Sequence, residues 1–477
     1  MAETLSLHPD RLFSSDPIQR DIAGRLYAKI KDLPIVSPHG HTDPSWFADN
    51  ENFSNATELL VQPDHYLLRM LFSFGIPLQA LGFKNRDLTK GDTGIPVETD
   101  PKVIWRTFAS HYYLFQGTPT NIWLDYVFVN VFGMKEVLCA ENADTYYETI
   151  TAALQTPSFK PQALFERFNI EVIATTEGAL DDLRHHKKIK QSDWNGRVIT
   201  AFRPDNVTDP EFEGFEENLI KLAEVTNINI DTFAGYLASL QNRRYYFKEM
   251  GATSTDHGHA TARTLDLSDD EKEALYQTIR STNFSAEDAD RFRAQMLTEM
   301  AAMSIEDGLV MQIHPGVYRN HNQSLFEQFG RDKGADIPVA TEYVNNLRPL
   351  LNKYGSHPKF KVIVFTLDET NYTRELAPLA GHYPALKLGP AWWFHDSPEG
   401  MRRYRQQVTE TAGFYNTVGF NDDTRAFLSI PARHDVARRM DCAFLAELVS
   451  DHRLSEKQAE KIAYDLTYSL AKDAYDL

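Results

Sequence analysis

Short runs rich in β-branched residues recur down this chain, and most are followed by residues able to do chemistry. Eight stand out: Leu33–Pro38, Ile170–Thr175, Arg197–Phe202, Ala252–Thr255, Gly308–Ile313, Lys361–Thr366, Ala385–Leu388 and Asn416–Phe420. Between them lie helical patterns, from the short Leu180–His186 to the long Asp288–Met303. Strands that alternate with helices build a parallel sheet, because each helix carries the chain back to the starting edge. Eight of them predict an α/β fold closed as a (β/α)8 TIM barrel, with its chemistry at the carboxyl ends of the strands. The fourth and seventh runs carry the least strand signal.

The spacing is uneven in one place. Thr42 to Asn169, between the first two strands, is far too long for one crossover. It is rich in helix formers and aromatics, as in Val103–Tyr113 and Ile122–Phe132. The expectation is therefore a barrel with a large helical insertion after strand 1. The insertion would cover the site and offer a subunit interface. The chain divides into an N-terminal helix with strand 1 (1–41), the insertion (42–169) and the rest of the barrel with C-terminal helices (170–477). Within the last part, 453–477 reads as a helix plus tail.

At 42% hydrophobic residues the chain can bury a large core, while a net charge of −18 disfavours nucleic acid and anionic membranes as partners. An anionic substrate would need a local cluster of arginines. Cys139 and Cys442 lack metal-site spacing and point to a reducing compartment. Met1–Phe13 has no apolar signal region, and the longest apolar runs are too short to span a bilayer. A cytoplasmic protein is the expectation.

The run Leu33–Val36 leads into Ser37-Pro38-His39-Gly40-His41-Thr42-Asp43. Residues i and i+2 of a strand share a face, so His39 and His41 project together and can hold one transition metal. An HxH alone is weak, but the other strand ends are chemical too. They carry Arg203-Pro204-Asp205, Asp256-His257-Gly258-His259, His314 with Arg319, Asp368-Glu369, Trp392-Trp393-Phe394-His395-Asp396 and Asn421-Asp422-Asp423-Thr424-Arg425. Strand 8 neighbours strand 1 in a closed barrel, so Asp423 can reach a metal held by His39 and His41, while Asp422 points away. Two imidazoles and a carboxylate suit zinc, and also manganese, iron or cobalt. His314 is a further ligand or a substrate-side residue.

With these residues assembled, the chain resembles the uronate (glucuronate) isomerases of the amidohydrolase superfamily. The matching stretches are SPHGHTDPSWFA (37–48), PDHYLLRML (63–71), ITAFRPD (199–205), STDHGH (254–259), MQIHPGVYRNHN (311–322), WWFHDSPEGM (392–401) and DDTRAFLSIPARHDVARR (422–439). The resemblance implies a distorted (β/α)8 barrel with a large helical insertion after strand 1, and interconversion of D-glucuronate with D-fructuronate, and of D-galacturonate with D-tagaturonate, in uronate catabolism. It implies metal ligands at His39, His41 and Asp423, and a functional His-Tyr pair at His65 and Tyr66. It also assigns functional arginines to Arg203 and Arg425. No lysine ends strand 4 and no histidine ends strand 6, which favours a single divalent metal, zinc, over a binuclear site.

Isomerisation moves a proton between C2 and C1 through an enediol. Asp423, acting with Tyr66, is the expected base, and His65 the next proton carrier. Arg425 and the metal would stabilise the enediolate oxygens. Arg203 is the first candidate to clamp the substrate carboxylate, supplemented by Arg433 or Arg319, because arginine binds carboxylates through two N–H groups. Trp392 is placed against the sugar. The substrate is a small uronate and the assembly a homo-oligomer, a trimer among the options. A hydrolase on the same scaffold, or a sugar-acid binder without catalysis, is the rival reading.

Overall fold

In the computed structural model, which describes residues 3–86 and 95–477, seven of the eight runs are strands. Residues 87–94, inside the 42–169 stretch, lie outside the description. The strands in chain order are β1 (Ile35–Ser37), β2 (Ile170–Gly178), β3 (Arg197–Arg203), β4 (Ser254–His257), β5 (Val310–Ile313), β6 (Val317–Tyr318), β7 (Ile337–Pro338), β8 (Val362–Val364) and β9 (Leu386–Leu388). One sheet runs β1-β2-β3-β4-β5-β8-β9, parallel throughout. The antiparallel pair β6–β7 was not foreseen, since two-residue strands leave no periodic signal.

Two expectations need correction. The fourth strand starts two residues later than its sequence pattern, so Asp256 and His257 lie within β4 rather than beyond it. The eighth run, Asn416–Phe420, makes only a bridge from Thr417 to Leu388. Its backbone leaves the extended region at Gly419, where φ is +75°, and a Cβ there would meet Leu466 O at 2.6 Å. The barrel is therefore distorted, with an open seam between the last strand position and β1. His41 N, donating to Thr424 O at 3.0 Å, stitches that seam beside the site.

Described residues between β1 and β2 form helices, as their composition predicts. The two anticipated there begin earlier, at Pro101 and Pro119, because proline fits the first helical turn and Asp100 and Thr118 cap it. Val127–Val131 widens into a π turn rather than continuing the α-helix to Phe132. The pattern at Leu180–His186 settles as Arg184–Gln191, and Asp288–Met303 lies inside Ala286–Asp307. The stretch 453–477 is three helical pieces, Glu456–Tyr464, Asp465–Ser469 and Leu470–Tyr475, rather than one helix and a tail.

Phe47, Leu71, Phe108 and Phe128 pack with Ile35, Ile173 and Val198 in one apolar cluster, which ties the helices after β1 to the sheet. On another face of the same strands, Val36, Val172, Ala174 and Ile199 pack against Ala471. Tyr475 packs with Val310, Ile363 and Val418. The helix Leu470–Tyr475 thus covers the sheet face opposite that first cluster. Cys139 and Cys442 are both free thiols. No described helix is long and apolar enough to cross a membrane.

Candidate active site

Just past β1, His39 and His41 turn towards Asp423. Asp423 Oδ1 lies 3.5 Å from His39 Nε2 and 3.0 Å from His41 Nε2, buried and without a hydrogen-bond partner. A left-handed backbone at Asp423, φ +37°, aims the carboxylate inward, a conformation aspartate tolerates better than most residues. Asp422 points the other way and accepts from His434 Nε2 at 3.0 Å. Two overlapping groups, His39–His314–Asp423 and His39–His41–Asp256, each gather three donor atoms within 4.8 Å of one another. Converging imidazoles and a carboxylate with unspent lone pairs fit a divalent transition metal.

The charge states fit as well. Burial pushes His39 down to about 4, despite the pull of Asp423, so at neutral pH its ring is the uncharged form that ligates. Burial raises the Asp423 carboxyl, but His39 and His41 outweigh it and hold the group well below the usual carboxylate range.

Neighbouring side chains lock these groups. Trp392 Nε1 donates a short hydrogen bond to Asp423 Oδ2. His314 stacks between His39 and Phe365, with ring centres 4.8 and 4.0 Å away. Its Nδ1 donates to Asp256 Oδ1 at 2.8 Å, leaving a buried, unpartnered Nε2. Arg203 pairs with Asp256 at 3.0 Å and with Asp205 at 2.8 Å. Gly258 permits that approach, since a Cβ there would lie 2.1 Å from Arg203 Nη2. Burial raises Asp256, yet Arg203 and His314 hold it well below the carboxylate range. The sequence places Asp256 near a strand end without marking a role for it. Its signal was alternation within β4, hidden by the displaced strand boundary.

The opposite wall comes from the helix His65–Ser73. Asp64 caps it, accepting from Tyr66 N at 2.8 Å and Leu67 N at 3.3 Å. That cap fixes His65 and Tyr66 in the first turn, with rings stacked 4.4 Å apart. Tyr66 Oη donates to Trp393 O at 3.2 Å. Burial raises the Tyr66 hydroxyl far above neutrality, so it is a proton donor rather than a phenolate. Burial, helped by Arg425, pushes His65 down to about 3 and leaves its buried Nε2 unpartnered. Arg433 donates to Asp396 Oδ2 at 2.6 Å, 3.6 Å above the Trp123 ring. Burial pushes Asp396 up to about 7 against the pull of Arg433.

These groups enclose a cavity of about 300 Å³, the scale of a small polar ligand. Every site residue singled out from the sequence lines it: His39, His41, His65, Tyr66, Arg203, His314, Arg319, Trp392, Asp423, Arg425 and Arg433. Arg425 pairs with Asp332 at 3.2 Å and Arg319 with Asp336 at 2.9 Å, both arginines half exposed. Asp332, Asp336 and Arg69 were missed. Arg69 lies one helical turn beyond His65, a spacing that places both on one face. Five arginines and five aspartates line the cavity, so it is close to neutral and a cation plus an anionic ligand suit it together. Asp368 and Glu369 do not line it, and Glu369 pairs with Arg403 at 2.6 Å.

Known proteins share this chain's sequence and overall fold. The family model for glucuronate isomerase matches residues 13–475. The uronate isomerase of Sphingopyxis alaskensis is 61% identical over 481 aligned positions, covering 100% of both chains. The crystal structure of glucuronate isomerase from Caulobacter crescentus superposes with a TM-score of 0.96 at 59% identity, covering 99% of this chain and 98% of that one. That of uronate isomerase from Thermotoga maritima gives 0.90 at 26% identity, covering 98% and 99%. By family, fold and sequence, the chain belongs to the glucuronate isomerases, which are aldose–ketose isomerases.

Proposed function

We propose that this cavity converts D-glucuronate to D-fructuronate, and D-galacturonate to D-tagaturonate, by moving a proton between C2 and C1 of the open-chain sugar. One observation carries the reading. The unpartnered Asp423 Oδ1 faces His39 and His41 in the same cavity that holds protonated Tyr66 and Arg425. A divalent ion, zinc by our reading, held by His39, His41 and Asp423 would polarise the sugar carbonyl and offset charge on its oxygens.

The chain's own residues supply the rest. Asp423 is anionic at neutral pH and is the base that takes the C2 proton and returns it to C1 as the ketose forms. Tyr66, protonated at neutral pH, gives its proton to the C1 oxygen as C2 is deprotonated and takes one back from the C2 hydroxyl as the ketone forms. Neutral His65, stacked on Tyr66, fixes that ring and is the next proton carrier. Arg425, half exposed in the cavity and paired with Asp332, faces the developing negative oxygens. Arg203 already balances two carboxylates, so we assign it to orienting Asp256, and Arg319, paired among the described residues with the one carboxylate of Asp336, to the substrate carboxylate. His314, Arg433 and Trp392 hold the other walls. The stretch 42–169, which brings in His65 and Tyr66, acts as the insertion that roofs the site. A cytoplasmic homo-oligomer acting in uronate catabolism belongs to the same reading.

The test is ketose formation from D-glucuronate and D-galacturonate by zinc-loaded protein, beside a His39→Ala variant. Turnover that vanishes in the variant supports the reading. Undiminished turnover there removes the metal from it.

A further inference from the structure

A metal on His39 Nε2 places conditions on the other ring nitrogen. His39 Nε2 faces Asp423, so Nδ1 must carry the proton of the neutral ring, and a buried N–H needs an acceptor. The side chain at that nitrogen is Gln312, from the third position of β5, fully buried. Its Nε2 lies 3.3 Å from His39 Nδ1 and donates to Ser254 Oγ and Thr255 O, both at 3.2 Å. Its Oε1 accepts from Tyr475 Oη at 2.9 Å, and Tyr475 Oη in turn accepts from Asn421 Nδ2 at 3.1 Å.

As oriented, the amide turns its NH2 towards Nδ1 with both hydrogens directed at Ser254 and Thr255, so a proton on Nδ1 meets no acceptor. Turned by half a revolution, it offers its oxygen, which suits a ring ligating through Nε2. A hydroxyl both donates and accepts, so Tyr475 can serve either orientation, and so can Ser254. Asn421 is itself an amide and can turn with them. Only the Thr255 carbonyl prefers the present arrangement.

We propose that Gln312 and Tyr475 are positioning residues that set the tautomer and orientation of His39 for metal binding, with the Gln312 amide oxygen accepting from His39 Nδ1. This rests on the metal reading of His39, His41 and Asp423. It gives the helix Leu470–Tyr475 a part in the chemistry although it lines no part of the cavity. Tyr475 is fully buried, and its hydroxyl reaches the opposite end of the glutamine from the imidazole.

The experiment measures zinc affinity of the full chain by competition with a chromogenic chelator, for wild type, Gln312→Leu, Gln312→Glu, Tyr475→Phe and His39→Ala. Loss of an outer hydrogen-bond partner of a ligand histidine weakens metal binding about 10- to 100-fold. Gln312→Leu should fall in that range, and Tyr475→Phe should weaken binding in the same direction. Gln312→Glu, which presents an acceptor in either orientation, should restore affinity to within a few-fold of wild type. Melting of the metal-free proteins separates this from a packing defect, which would lower stability without changing affinity. If Gln312→Leu does not fold, Tyr475→Phe, which removes one oxygen, carries the test. Folded Tyr475→Phe or Gln312→Leu with wild-type zinc affinity, beside a weakened His39→Ala, overturns the positioning role alone. Wild-type affinity in His39→Ala overturns the metal reading instead.

Discussion

Replacing Trp392 by phenylalanine separates two roles for one side chain. Its sequence position suggested packing against the sugar, whereas its indole N–H is spent on Asp423 Oδ2. Phenylalanine keeps an aromatic ring beside His314, whose centre lies 4.8 Å from that of Trp392, and deletes only the donor. Trp392 is 5% exposed, so no bulk water takes the vacated place. A hydrogen bond to a charged group contributes about 1.5–3 kcal/mol. At about 1.4 kcal/mol per tenfold, its loss corresponds to roughly 10- to 150-fold. Asp423 both ligates and takes the proton in our reading, so that loss should divide between zinc affinity and kcat, with KM for glucuronate little changed. The measurements are chelator competition and steady-state ketose formation at saturating zinc. A raised KM with kcat and zinc affinity within about twofold of wild type would refute this role and restore the packing one.

Arg425→Ala removes the cation facing the enediolate oxygens, and kcat should fall about 100- to 1000-fold with little change in melting temperature, since its ion pair is half exposed. Near-normal kcat would end that assignment. His395 sets an acid limb of stability. Burial pushes it down to about 4 despite the opposing pull of Glu369, against about 6.5 when unfolded. Between these values the unfolded chain binds the extra proton. Stability therefore falls as pH drops below about 6.5, by at most about 1.4 kcal/mol per pH unit, and the loss is complete near 4. Denaturant midpoints across that window should be flatter in His395→Gln, and superimposable curves would show that this histidine is not the cause.

The legible part of the site was the part written locally. His39 and His41 sit two residues apart after a short apolar run, and Asp423 and Arg425 repeat that spacing at the last strand position. His65 and Tyr66 were legible only through resemblance, since nothing in their own segment says that Asp64 caps a helix pointed into the barrel. The barrel class followed from alternation of strand and helix patterns. Its distortion came only through the resemblance, and the form it takes, a missing eighth strand, depends on Gly419 yielding to the close backbone of Leu466.

What the sequence determined by itself is the inventory and its order: which groups stand at strand ends, and so which can share one face of a parallel barrel. Tertiary structure alone decided which of those groups spend their charge on each other. Arg203 is balanced by Asp205 and Asp256, Trp392 holds Asp423 rather than meeting the solvent, and Tyr475 reaches Gln312 across 163 residues. The physical reason is that a residue's identity and its strand periodicity are short-range properties. Pairing and burial arise only when distant segments close around the same few ångströms, and these set each group's charge state and free lone pairs.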